Sequence, residues 1–560
     1  MHTCMMARHR TPLFYLLLLL LPVLLHIALP ASSSSSSTKD PPQVLRELEA
    51  IQEARDALLR ARNWAASMGP EVEASGPLRP EAHDRRLAWA DCVRLYEDSE
   101  ERIGRLVMTM ATGREYDASD ATTWISGAMT AHATCVEGLL LQRRNTSFLP
   151  PPPPPPPPPQ QQLRDVLKKA LYLHVTGTQK EMHGPSDRKP TADNAGLLAA
   201  RNASMSRSDA DMVVAQDGSG NYKTIGEAVD ALRGWRRRRG NDRVVVYVKS
   251  GTYKENVEID RHMKNVMFIG DGIDRTVVTA TATCLMVTLP SARPHLVCHG
   301  RTLICKRIRV GRAPAPPIPN GTGNEAIQDA RVSGDGFWAR DMTFENSAGP
   351  EKHQAVALMV ASDRAAFYRC SFRGYQDTLF VHSQRQFYRE CHVYGTVDFV
   401  FGNAAAVLQD CDIYVRKPMP RQSNVITAQG RDDPSQNTGI SIHACRVRPA
   451  GDFTAVKGSY KSYLGRPWKE FSRTVVMKTD IDGLVHPEGW ARWEGEFAIG
   501  TLYYAEYMNT GDGASTEMRV KWPGFHVLQQ ASDAAPFSVE RFIDGKLWIP
   551  ESGVPFWLGV

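Results

Sequence analysis

Beyond residue 29 the chain has no apolar run approaching the roughly 18 residues a membrane span needs, so any membrane association has to come from its start. There Arg8, His9 and Arg10 precede an apolar run from Leu13 to Leu29, followed by Ala31 and a serine tract. That order is the one of a secretory signal peptide over residues 1–31, and Pro22 and His26 weaken the alternative, an uncleaved anchor. The expected product is secreted and extracellular, with no stable membrane association after cleavage. Charge of one sign is also scarce: 67 Lys and Arg against 61 Asp and Glu leave a net charge of +6. For a secreted protein this mild basicity suits an acidic polysaccharide and argues against a nucleic-acid partner; the run Arg236 to Arg239 reads as a solvated surface loop. Cysteine is sparse, ten in 560 residues, and Cys4 leaves with the signal; the others can pair in an oxidising compartment.

What is present excludes global disorder. Hydrophobic residues make up 42%, with 11 Trp, 17 Tyr and 18 Phe, enough for a large core. At about 150 residues per domain the length predicts two or more domains. Sequons at Asn145, Asn202 and Asn320 fit a secretory route.

Residues 43–66 carry Val44, Leu48, Ile51, Ala54 and Leu58 at helical spacing, and 85–111 repeat this with Leu87, Cys92, Leu95, Ile103, Leu106 and Val107. A third helix is expected to start at the N-cap Asp120 and to carry Trp124, Ala128, Cys135 and Leu139; a fourth covers 163–182. Together they predict an all-α four-helix bundle over 40–182, interrupted by the ten prolines Pro150 to Pro159, an extended spacer. A polar linker spans 183–210.

From residue 211 to 560 the texture is all-β. Short runs recur every twenty-odd residues: Val244–Val248, Val266–Ile269, Phe337–Phe344, Ala355–Val360, Ala365–Phe372, Phe387–Val393, Asp398–Phe401, Ala405–Leu408, Val425–Ala428, Ile440–His443 and Val475–Lys478. That spacing suits a solenoid whose coils each add a strand to a parallel sheet. The stretch 281–330, with Cys284, Cys298 and Cys305 and then Pro314, Pro316, Pro317 and Pro319, lacks strand alternation and reads as an atypical insertion.

Within the β region Gln354 and Gln376 are 22 apart, and Asp377 and Asp398, like Cys370 and Cys391, are 21 apart. In a parallel β-helix with coils of that length such pairs stack on adjacent rungs, about 4.8 Å apart. Two carboxylates that close are expected to titrate apart, one serving as acid and the other as nucleophile or base. Two amides beside them can donate to an oxyanion, and an Arg would keep one carboxylate ionised. Spacing alone also fits a purely structural ladder. It brings Cys370 and Cys391 within disulfide range.

The residues around these pairs carry more. Gly251-Thr-Tyr-Lys-Glu255, Gln354-Ala-Val-Ala-Leu358, Gly374-Tyr-Gln-Asp-Thr-Leu379, Gly395-Thr-Val-Asp-Phe-Val-Phe-Gly-Asn-Ala404 and Leu464-Gly-Arg-Pro-Trp468 occur in this order. Together they resemble the signature set of the plant pectin methylesterases. The likeness covers 212–280 and 331–560, including Val520-Lys-Trp-Pro-Gly-Phe-His-Val527 and Phe542-Ile-Asp-Gly-Lys-Leu-Trp-Ile-Pro550. It implies a right-handed parallel β-helix that hydrolyses methyl esters of homogalacturonan (pectin) to pectate and methanol in the cell wall, with no metal or organic cofactor. Residue by residue, Asp398 matches the nucleophile and Asp377 the general acid, then base. Gln376 and Gln354 match the oxyanion and substrate-contact positions, and Arg466 the group that holds the nucleophile. Trp468 matches a substrate-stacking aromatic, which Trp490 in Gly489-Trp-Ala-Arg-Trp493 is expected to extend. Cys411 and Cys445, 34 apart, follow the family's cysteine positions and are expected to pair.

The N-terminal region, through Trp89-Ala-Asp-Cys-Val-Arg-Leu-Tyr-Glu-Asp98 and Thr123-Trp-Ile-Ser-Gly-Ala-Met-Thr-Ala-His-Ala-Thr-Cys-Val-Glu-Gly138, resembles the pectin methylesterase inhibitor bundle. This implies a Cys92–Cys135 bridge and an intramolecular inhibitor. The chain departs from both patterns. The first helical hairpin lacks the inhibitor family's cysteine pair, and the linker lacks an Arg-Arg-Leu-Leu or Arg-Lys-Leu-Leu processing site. The stretch 281–330 replaces a segment from which the esterases take a substrate-contacting Thr. Those departures keep open an alternative, a catalytically impaired or inhibitory protein working through its bundle. A lyase or glycosidase on the same fold is disfavoured by the paired glutamines and Leu464-Gly-Arg-Pro-Trp468.

Overall fold

The structure, a computed structural model, describes residues 41–73, 80–114, 116–144, 159–182, 207–239, 242–281 and 330–560. The signal peptide, the three sequons, the proline run up to residue 158, most of the linker and the insertion with its three cysteines lie outside the described residues. The chain divides into two compact units, Met1–Val44 and Leu45–Val560, and every side-chain contact described below lies within the second.

Four long helices, α1 (Pro41–Glu73), α2 (Pro80–Ala111), α3 (Ala118–Arg144) and α4 (Pro159–Met182), share one apolar core. Ile51 and Leu58 of α1 meet Leu95 and Ile103 of α2, Ile125 and Ala128 of α3, and Leu163, Leu167 and Leu171 of α4. The helices outrun the expected ones because apolar spacing marks only the buried turns. Pro159 opens α4 where a helix needs no N–H and the proline φ is already helical. Cys92 and Cys135 are bonded, joining α2 to α3.

Past Met212 the chain winds into a parallel β-helix of three sheets, with eleven, seven and eight strands. One coil runs from Leu379–Val381 in the seven-stranded sheet to Arg385–Arg389 in the eleven-stranded sheet and His392–Gly395 in the eight-stranded one. Neighbouring coils are in strict register: Leu358 pairs with Leu379, Leu379 with Val400, Val400 with Thr427, and Thr427 with Gly465. The interior is filled by stacked rings, among them Phe367 on Tyr388 at 5.0 Å and Phe344 on Phe372 at 6.0 Å. Val257–Ile259 pairs directly with Ala330–Val332, so the seven-stranded sheet runs unbroken past residues 282–329. Phe537, Phe542, Trp548 and Phe556 of the C-terminal segment cover the outer face of the eleven-stranded sheet at Phe387, Val407 and Val475.

Three predicted strands, Phe337–Phe344, Ala365–Phe372 and Phe387–Val393, are each two strands joined by a sharp corner. Asp341, Arg369 and Glu390 occupy those corners with φ of 56°, 48° and 51°, and Asp410, Ala444, Lys478 and Met508 repeat the left-handed turn in later coils. Apolar residues flank the corner on both sides, so the bend leaves no gap in the hydrophobic pattern.

The expected Cys370–Cys391 and Cys411–Cys445 bridges are not formed. All four are free, buried thiols in one internal file. The Cys391 and Cys411 N–H groups each donate to the next thiol at 3.4 Å. The thiols of Cys391, Cys411 and Cys445 point to the carbonyls of Phe367, Tyr388 and Leu408 at 3.4, 3.5 and 3.4 Å. Side chains stacked in register project in parallel, whereas a disulfide needs converging Cβ vectors. Thr479 takes the next place in the file, accepting from the Cys445 N–H at 3.3 Å, so the position calls for a small hydrogen-bonding side chain. Burial pushes the Cys391, Cys411 and Cys445 thiols well above the usual range.

Candidate active site

The outer face of the seven-stranded sheet carries an aromatic floor. Phe380 and Phe401, on adjacent rungs, stack at 4.4 Å. The Trp468 ring stands edge-on to both, at 6.5 and 6.0 Å. Gly430 makes room for it, since a Cβ there would come within 2.7 Å of the Trp468 ring.

Just before strands Leu379–Val381 and Val400–Gly402 stand Asp377 and Asp398, one rung apart because Leu379 pairs with Val400. The Asp377 N–H donates to the Val397 carbonyl at 3.0 Å. Both aspartates are left-handed, with φ of 64° and 52°. Asp tolerates that conformation better than most residues, but each costs about 1 kcal/mol or more. The turn swings both carboxylates towards the floor while Thr378 and Phe399 stay buried. Asp377 is 3% exposed and Asp398 6%.

The two carboxylates have different partners. Arg466 grips Asp398 with both arms of its guanidinium, Nε donating to Oδ1 at 2.8 Å and Nη2 to Oδ2 at 2.6 Å. Gln354 Nε2 donates to Asp377 Oδ2 at 2.7 Å. Gln354 and Gln376 form a parallel bridge, which puts the second amide one rung on. A carboxylate gripped by a guanidinium, a second that accepts from an amide, and a further amide one rung on can add a nucleophile to a carbonyl and shield the resulting oxyanion.

Gln354, Gln376, Asp377, Asp398, Arg466 and Trp468 thus come together on one face, but Trp490 does not join them. It is 1% exposed, stacks on Tyr504 at 4.3 Å inside the helix and donates its indole N–H to Glu506 at 3.1 Å. The residue of that motif that packs against the aromatic floor is Trp493, whose ring lies 4.4 Å from the Arg466 guanidinium carbon. Trp490 bridges Gly465 in the sheet register, which turns it inward, and Trp493 sits just past the point where the chain leaves the coil. Phe380 and Phe401 were also missed as site residues. Their signal was present, since each lies three residues past an aspartate of the 21-residue pair.

Next to the floor the same face receives α3. Thr134 Oγ1 meets His382 Nε2 at 3.1 Å, Asn403 donates to Thr130 Oγ1 at 2.8 Å, and Gln436 donates to the Ser126 carbonyl at 3.2 Å. Lys469, beside Trp468, is paired with Glu137. Burial lowers the Lys469 ammonium to about 8, while the adjoining Glu137 carboxylate works in the opposite direction. Burial, reinforced by Arg331 and Arg102, holds His382 down at about 3, so it is neutral. Ion pairs frame the contact, including Arg102 with Asp335 at 2.6 Å, Arg364 with Asp120 at 2.9 Å and Lys168 with Asp433 at 3.0 Å. Among the described residues the apolar clusters of bundle and β-helix share no member, so the contact is polar.

A parallel β-helix with this constellation on one sheet face defines a carboxylic ester hydrolase. The pectinesterase family model matches residues 211–316 and 322–546, and the plant invertase/pectin methylesterase inhibitor model matches residues 28–150. The chain is 44% identical over 542 residues to the probable pectinesterase/pectinesterase inhibitor 36 of Arabidopsis thaliana, covering 92% of this chain and 94% of that one. It is 44% identical over 477 residues to pectinesterase 2 of Citrus sinensis, covering 85% and 82%. The solved pectin methylesterase from carrot superposes with a TM-score of 0.54 at 45% identity, spanning 64% of this chain and 100% of that one. The chain belongs to the pectinesterase family and carries an inhibitor-type segment ahead of the esterase.

Proposed function

We propose that the chain de-esterifies methyl-esterified homogalacturonan in the cell wall through an acyl-enzyme on Asp398. The carboxylate attacks the ester carbonyl carbon. The tetrahedral oxyanion is met by the amides of Gln376 and Gln354, and its collapse breaks the carbon–methoxy bond. Asp377 gives its proton to the leaving methoxy oxygen, releasing methanol and leaving an anhydride between Asp398 and the galacturonate. Asp377, now a base, takes a proton from water. The hydroxide adds to the anhydride and frees pectate and Asp398. Arg466 holds and aims Asp398 with both arms of its guanidinium. Phe380, Phe401, Trp468 and Trp493 offer faces to sugar rings. The observation carrying this reading is the two-armed Arg466–Asp398 pair one rung from Asp377. The test is methanol release from esterified pectin. Methanol without chain shortening and without unsaturated products supports the esterase, and absence of methanol refutes it.

In the proposed organisation residues 40–182 form an inhibitor-like unit and 211–560 the esterase, joined by the linker 183–210 and delivered outside the cell after loss of residues 1–31. The seating of α3 beside Trp468, with Lys469 paired to Glu137, supports intramolecular inhibition. Tethering makes even modest affinity sufficient. Full-length protein should release methanol more slowly than protein lacking residues 1–207; equal rates refute the inhibition.

A further inference from the structure

Trp490, excluded from the cleft, touches the site from behind. The strand Ser462–Gly465, which delivers Arg466, is bracketed by the segment 489–491. The Leu464 N–H donates to the Gly489 carbonyl at 2.8 Å, and the Ala491 N–H donates to the Gly465 carbonyl at 2.9 Å. A Cβ on Gly465 would come within 3.0 Å of the Trp490 ring, so the indole lies directly against the backbone that carries Arg466.

The indole is itself anchored. Its Nε1–H donates to Glu506 Oε1, and Glu506 accepts from Arg519 Nε at 2.7 Å and Nη2 at 3.2 Å. Both side chains of this ion pair are 1% exposed. Arg519 also donates to the carbonyls of Pro487 at 3.0 Å and Gly513 at 2.7 Å. Gly489, with φ of 71°, lies on Arg519, where a Cβ would fall 2.4 Å from Cδ. A buried ion pair is a weak source of stability, because desolvation offsets most of its attraction. This one fixes the geometry of a loop, and three residues further along that loop Trp493 lies against the guanidinium of Arg466.

We propose that Trp490, held by the Glu506–Arg519 pair, is a positioning residue: it sets Trp493 and the Arg466 backbone so that the guanidinium meets Asp398 with both arms. The inference rests on the reading of Asp398 as nucleophile. Trp490 touches no reacting atom. Its contribution is to the aim of Arg466, so its loss lowers kcat and leaves substrate binding largely intact.

The test is a double-mutant cycle on the full-length chain with W490F and W493F. W490F keeps a ring against Tyr504 and leaves Glu506 paired with Arg519, so no buried charge is stranded. Loss of one hydrogen bond to a charged acceptor, felt only in part at the Arg466 fork, predicts a fall in kcat of about fivefold to tenfold, with KM within about twofold. Because Trp490 acts in part through Trp493, the loss in the double variant should fall short of the product of the two single losses. The crystal structure of W490F should show the Arg466 fork displaced from Asp398, a readout independent of turnover. An unchanged kcat, multiplicative effects in the double variant, or an undisturbed fork would each overturn the proposal. If W490F cannot be purified folded, Trp490→Met, which likewise cannot donate and leaves Glu506 paired with Arg519, takes its place with the same expected and refuting outcomes. Asp398→Asn is run alongside. If it stays active, the reading of the site fails; if it is dead while W490F is normal, only the positioning role fails.

Discussion

Replacing Arg466 by Lys keeps the positive charge and removes the fork. The guanidinium makes two charge-assisted hydrogen bonds to Asp398, at 2.8 and 2.6 Å, and lies 4.4 Å from the Trp493 ring. An ammonium can replace one of those bonds but not the planar pair. The lost bond contributes about 1.5–3 kcal/mol, and weaker cation–π contact adds about 0.5–1 kcal/mol. Side-chain exposures of 18% and 8% leave little solvent to screen the pair. The sum, about 2–4 kcal/mol, falls on the step in which Asp398 must be ionised and aimed, and corresponds to a loss of about 30- to 900-fold in kcat. KM should change much less, because in the proposed binding mode the sugar rings rest on the aromatic floor. The assay is methanol release under saturating esterified pectin. A loss smaller than about threefold would refute the argument that the fork orients the nucleophile.

Three further outcomes are expected. Burial, with Arg331 and Arg102, holds His382 down at about 3 while α3 covers it, and it moves back towards about 6.5 when the bundle leaves and takes Arg102 with it. A base held below its free value favours docking above about pH 6.5 and weakens it progressively below, by up to about 2 kcal/mol at pH 5. After cleavage in the linker, more of the bundle should therefore elute apart from the β-helix at pH 5 than at pH 7 on gel filtration. His382→Gln should reduce that difference, and an unchanged difference would contradict this role. Cys92→Ser opens a loop of 43 residues and should cost the bundle about 4 kcal/mol in the chain-entropy account; a thermal melt within a degree of the parent would contradict it. Peptide mapping without reductant should recover Cys370, Cys391, Cys411 and Cys445 unlinked, and a bridge between any two of them would contradict the internal thiol file.

The architecture was legible where one period governs it. The 21-residue spacing that pairs Asp377 with Asp398 is the length of a coil, and register carries it straight into adjacency. The helices around Ile51, Ile103, Ile125 and Leu167 were equally plain, because helical spacing reports a buried stripe. What spacing does not carry is direction within a rung. Cys370 and Cys391 are on adjacent rungs, as expected, yet stack in parallel and stay unbonded. Trp490 and Trp493 belong to one motif, and only the bridge from Gly465 to Trp490 decides which faces the core. The corners at Asp341, Arg369 and Glu390 were invisible for a related reason: Asp is enriched in the left-handed region but Arg and Glu are not, so the corner carries no consistent compositional mark. The contact between α3 and the sheet could not be foreseen either. It is built from single polar pairs such as Thr130 with Asn403 and Glu137 with Lys469, remote in sequence and without periodicity.

The most direct test of the central claim is the steady-state rate of methanol release by Asp398→Asn, compared with the unaltered chain on the same esterified pectin. A neutral amide still fits between Arg466 and the floor but cannot add to the ester carbon, so the account predicts a loss of at least about a thousandfold in a protein that melts normally. Methanol release within about tenfold of the parent would contradict the account, because the ester would then be opened by some group other than Asp398.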